Sequence, residues 1–185
     1  MAKPSFATLH ELKAFIAQKE NHLLRQGYSC SSLPFLIPQG ALVEIAGTSK
    51  VEWLISFLGE NPSLKTFWTE PEFSLLPTAL YQRGLNMDQM LFVEAGSQVF
   101  SVVRKVLRSQ VFPCVVTPSI FQDEKTLKAL QLLAEKSNAT VFLLTQALSS
   151  AWPISLQFEV HRSLSHPGFE IFLKRNKTKI AAVRA

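Results

Sequence analysis

Gly47-Thr48-Ser49-Lys50 carries the chemistry this chain advertises most openly. The four residues follow an apolar run at 41–46 and precede a stretch with helical spacing at 51–58. A glycine, hydroxyl residues and a lysine between a strand and a helix outline a phosphate-binding loop of the type G-x-x-x-x-G-K-[ST]. In that loop the glycines let backbone N–H groups close around phosphate, the lysine reaches the outer phosphates, and the last hydroxyl holds Mg²⁺. Here the loop is shorter and has no second glycine. Val51 stands where the metal hydroxyl belongs, and Glu52 brings a carboxylate to where phosphate charge would sit. Phosphoryl transfer works by positioning and charge neutralisation, and both loop and metal are needed for it. No catalytic residue, nucleotide cofactor or metal is therefore expected.

Other chemistry is sparse. His10, His22, His161 and His166 have no metal-ligand spacing with one another or with Cys30 and Cys114. No Ser/His/Asp or Cys/His set stands out, and Cys114 lies in an apolar run as a reduced core residue would. The densest charge run is Lys174, Arg175, Lys177, Lys179 and Arg184. It reads either as a solvated tail or as a face for nucleic-acid phosphate or an acidic protein. It lacks interleaved aromatics for stacking single-stranded bases, and with short connections after the fourth and fifth strands DNA binding is expected to be weak. Trp53, Phe57, Trp68 and Trp152 would suit a protein interface if exposed and a core if not.

The elements that must position these residues follow from periodicity. A capping box at Thr8-Leu9-His10-Glu11 opens a helix that Gly27 ends, and a loop over 28–40 still carries Leu33, Phe35 and Leu36. Buried strands are predicted at 41–46, 64–68, 90–93, 113–117 and 140–145, with helices at 51–58, 73–83, 99–107 (capped by Ser97) and 123–136 between them. The pattern then switches to alternation at 155–162 and 169–175, joined by a turn at 165–168, which is an antiparallel hairpin. Strands alternating with helices define an α/β fold with a mostly parallel sheet and a C-terminal antiparallel hairpin. The expected division is an N-terminal helix and loop over 1–36 and a core domain over 37–185. At 185 residues, 47% hydrophobic and a formal charge of +5, with no apolar run approaching a membrane span, a cytoplasmic chain is expected.

Residues 37–47, Ile-Pro-Gln-Gly-Ala-Leu-Val-Glu-Ile-Ala-Gly, resemble the lead-in to the P-loop of the RecA recombinase core. Glu72-Phe73-Ser74-Leu75, Pro77 and Gly84 match the spacing of that family's water-activating glutamate segment. Residues 141–146 resemble its strand ending in a γ-phosphate-sensing glutamine, here Gln146. Residues 176–182 resemble its lysine-bearing run, whose lysines face the neighbouring subunit's nucleotide. The resemblance spans roughly residues 37–182 and implies a RecA-like three-layer fold, with Glu72 and Gln146 beside the loop. The strand-four aspartate that orients Mg²⁺ in the family is missing from Val115-Val116-Thr117-Pro118. The connections that carry DNA-binding loops in RecA are short. The chain is thus similar to the degenerate RecA-fold proteins of the bacterial SOS response, ImuA and SulA. The resemblance implies a protein partner: a recombinase or translesion polymerase assembly, or, if SulA-like, the tubulin-like division protein. A nucleotide- or DNA-binding RecA relative is the remaining alternative.

Overall fold

The computed structural model describes residues 27–121 and 123–177. The helix expected upstream of Gly27, and with it Lys179 and Arg184, lies outside the described residues. In chain order the strands are β1 (Gly27–Tyr28), β2 (Ile37–Pro38), β3 (Leu42–Ala46), β4 (Thr66–Glu70), β5 (Met90–Glu94), β6 (Cys114–Pro118), β7 (Thr140–Leu144), β8 (Leu156–Arg162) and β9 (Phe169–Asn176). The helices are α1 (Lys50–Glu60), α2 (Pro77–Gln82), α3 (Val99–Ser109) and α4 (Glu124–Ser137). β1 and β2 form a small antiparallel ribbon.

The other seven strands make one sheet in the order β5-β4-β6-β7-β3-β8-β9. Every neighbouring pair is parallel except β8 and β9. The hairpin therefore extends the sheet from β3, with β8 in the parallel set and β9 as the antiparallel edge. Two strands, β6 and β7, separate β3 from β4, its successor in the chain. In doubly wound dinucleotide-binding sheets the first strand lies beside the second, so this order sets the domain apart from them.

Side chains alternate across each strand, and β3 shows where they go. Val43 and Ile45 pack with Trp53, Leu54 and Phe57 of α1 and Leu80 of α2. Leu42 faces the other way, with Val99 and Val103 of α3 and Leu127, Leu130 and Ala134 of α4. Chain steps toward the β5 edge carry α1 and α2 on one face. Steps back toward β3 carry α3 and α4 on the other. All four helical crossovers thus share one hand, as sheet twist requires of parallel connections. The result is a three-layer α/β domain. Among the described residues no helix is long and apolar enough to cross a membrane.

Two local expectations need correction, and one left open is decided. The helix predicted at 73–83 begins only at Pro77: Leu76 before the ring is extended, with ψ 115°. The proline ring disfavours helical geometry in the preceding residue and is itself well suited to a first helical position. Ser97 does not cap α3; it lies inside a 3₁₀ turn over Gly96–Gln98 that leads into the helix. Trp53, Phe57 and Trp68 are fully buried, so of the four aromatics considered for an interface only Trp152 is exposed, at 49%. The segment 28–40 contributes Cys30, Leu33, Phe35 and Ile37 to the cluster around α1. Asp123 caps α4 as a short acceptor should, taking hydrogen bonds from the Lys125 and Thr126 amides at 3.2 Å each.

Candidate functional site

Because β3 to β8 run parallel, their carboxyl ends gather at one edge of the sheet, where ligands of α/β domains bind. Gly47 to Lys50 leave β3 there. Gly47 has φ +97°, and a Cβ at this position would lie 2.2 Å from the Val160 carbonyl oxygen of β8. The glycine is required by its close approach to β8 as well as by its left-handed backbone. One loop donor is engaged within the chain: the Ser49 N–H bonds to the Val160 carbonyl at 3.1 Å. Lys50 Nζ turns back to the Gly47 carbonyl at 3.3 Å. Thr48 Oγ1 lies 3.4 Å from His161 Nδ1. In the first turn of α1, Glu52 draws in Arg83 at 3.6 Å and Arg162 at 3.4 Å. A phosphate cradle needs several N–H groups converging on an empty centre. This loop turns its Ser49 amide and its lysine onto backbone carbonyls instead.

The two residues matched to the family glutamate and glutamine lie at the same edge. Gln146 is exposed, just beyond β7 and therefore beside the β3 loop. Glu72 is exposed in the turn after β4, with β6 and β7 lying between it and that loop. It is not at a helix start, because Pro77 delays α2. The carboxylate with built partners near it is Glu70, which accepts from Trp68 Nε1 at 3.0 Å and from the Ser74 amide and hydroxyl at 2.8 Å each.

A buried polar cluster escaped the sequence reading. Glu44 is 1% exposed on the central strand. Its Oε2 accepts from Gln157 Nε2 at 2.6 Å, the Ser149 amide at 2.9 Å and the Ser149 hydroxyl at 3.2 Å. Gln157 Nε2 also bonds to the Ser149 carbonyl at 2.7 Å. The cluster pins the 145–155 connection to the sheet. A lone charged residue within an apolar run was its only sequence signal.

The basic run separates into residues with different duties. Lys174 is exposed on the edge strand at a β-bulge, where the register between β8 and β9 skips it. Bulges and lysines are both devices that discourage edge-to-edge pairing. Arg175 reaches across to the 145–155 connection, donating to the Ala151 carbonyl at 2.6 Å and the Ser150 carbonyl at 3.2 Å. Lys177 Nζ donates to the Trp152 carbonyl and lies 5.9 Å from that indole's ring centre. Lys128 of α4 stands over the same ring at 4.5 Å. The sequence shows no aromatic among these basic residues, but the fold supplies one.

Neither cysteine offers thiolate at neutral pH. Burial pushes the Cys114 thiol up to about 12 and raises Cys30 above its ordinary value. Among the described residues no group of His, Cys, Asp or Glu could hold a metal ion.

Fold and site together define a three-layer α/β domain whose strand-to-helix loop is closed by its own backbone. No protein-family model matches this sequence, and no curated protein matches it significantly.

Proposed function

We propose that this chain is a non-catalytic RecA-like interaction protein of the bacterial DNA-damage response, an ImuA-like accessory to a recombinase or a translesion polymerase assembly. One observation carries the proposal: the loop that follows the RecA-like lead-in at 37–47 is packed shut against Val160, with Lys50 folded onto the Gly47 carbonyl. A chain that keeps the lead-in while closing the loop has kept a scaffold and not a nucleotide site. The proposal is further supported by Gln146 following the strand next to β3, and by a three-layer order distinct from dinucleotide-binding sheets. Fold alone does not define function, so the partner decides. A tagged full chain recovered from bacterial cells after DNA damage is expected to bring down recombinase or translesion polymerase. Recovery of the tubulin-like division protein instead would replace this role with the SulA-like one. ATP-dependent assembly into long polymers by the purified chain would contradict both.

A further inference from the structure

Trp152 is held in an unusual setting. Its neighbours Ala151, Pro153 and Ile154 are buried, so the connection is anchored on both sides while the indole itself stays 49% exposed. The Lys177 amide adds a bond to the Ser155 carbonyl at 2.9 Å. An exposed ring on an anchored backbone is presented, not left over from a floppy loop.

The charges around it are of one sign. Lys128 and Lys177 lie over the ring, and Arg175 grips the two carbonyls before it. Among the described residues, none of these three cations has a carboxylate within salt-bridge distance. By contrast, Glu52 beside the Gly47 loop meets both Arg83 and Arg162. The repulsion is felt at Lys177, whose ammonium is held below the usual lysine range by burial first, and then by Arg175 and Lys128. Satisfying three loop carbonyls needs donors, but it does not need three positive charges. The excess charge matches an anionic ligand.

We propose that Trp152, Lys128, Arg175 and Lys177 form a docking site for an acidic peptide segment of a partner protein, with an apolar side chain laid on the indole and carboxylates beside the lysines. The proposal rests on the reading of the chain as an interaction protein and gives that reading a site. A peptide fits better than a single nucleic-acid strand because the cations converge on one ring. A strand-tracking groove spaces its cations along the backbone and offers successive aromatics to successive bases.

Trp53 and Trp68 are fully buried, so iodide quenching of tryptophan emission in the full chain reads Trp152. The probe is a short synthetic peptide of alternating Asp and Glu with a single Phe. It is compared at low ionic strength with its Asn/Gln counterpart and with oligo(dT). The acidic peptide is expected to bind, shield Trp152 from iodide and dissociate as salt is raised. Trp152→Ala and, separately, Lys128→Gln are expected to weaken it about ten-fold or more, as loss of a central anchor does. Equal binding of the neutral peptide, tighter binding of oligo(dT), no binding of the acidic peptide, or binding untouched by both substitutions would each overturn the proposal. If the variants still captured the wild-type partner from damaged cells, this site would fall while the interaction-protein reading stood.

Discussion

The loop at Gly47 and the cluster at Trp152 differ in charge balance, although both turn donors onto the chain's own carbonyls. The loop has the residue types of a ligand site in sequence order, yet in space its donors meet the chain's own carbonyls: Ser49 on Val160, Lys50 on Gly47. Its exposed carboxylate, Glu52, has two arginines to balance it. The Trp152 cluster has no motif. Its members come from α4, the 145–155 connection and the end of β9, and they bring cations together without a carboxylate. The difference teaches that a motif records spacing along the chain, whereas a binding site is recognised by groups left electrostatically unbalanced in space.

The contrast is sharpest at glycine. If Gly47 serves packing against β8, Gly47→Ala should cost about 2–4 kcal/mol, since it combines left-handed strain with a clash against backbone. Gly84 has φ +81° with nothing within 4 Å of an added Cβ, so Gly84→Ala should cost only about 1–2 kcal/mol, the backbone strain alone. Lys50 is half-buried with a single long bond to the Gly47 carbonyl, so Lys50→Ala should cost least of the three, about 0.5–1 kcal/mol. Urea midpoints of the three variants check the order. Equal costs at the two glycines would mean that the loop moves away from β8 freely and is not closed.

A smaller effect tests the other region. The depressed ammonium of Lys177 is charged in the folded chain only up to a lower pH than in the unfolded chain, where it stays charged to about 10.4. Between those two values the unfolded chain holds more protons, so wild-type stability gains from rising pH in that window. Lys177→Met lacks this gain. Its stability relative to wild type should therefore be flat at neutral pH and fall as pH rises toward the ordinary lysine range. Chemical denaturation of both proteins at matched pH values reads the difference. A constant difference across that range would mean that neither burial nor the neighbouring Arg175 and Lys128 depresses the Lys177 ammonium.

Much of the architecture is legible because burial on both faces leaves a continuous apolar run, as at Cys114–Pro118 and Thr140–Leu144. The hairpin is legible because β8 and β9 alternate across one exposed edge. Strand order is not legible: β4, β6 and β7 are buried alike, and only long-range pairing decides which lies beside β3. The start of α2 was missed because helical periodicity at Phe73 outvoted the steric demand of Pro77 on Leu76. At the site, the glycine and lysine of the loop are visible in sequence, but their engagement depends on Val160, far along the chain. Trp152 could not be joined to Lys128 and Lys177 by spacing, since no local period links a helix, a connection and a strand end.

The central claim is that the Gly47–Lys50 loop is closed to nucleotide, and a thermal melt with and without Mg²⁺-ATP tests it most directly. A ligand at about a hundred times its dissociation constant adds about 2.7 kcal/mol, or about 5–11 °C in the melting temperature of a domain this size. With millimolar Mg²⁺-ATP the melting temperature is expected to stay where it is without it. A rise of that size, lost in Lys50→Ala, would show that the loop opens to hold phosphate and would contradict the account.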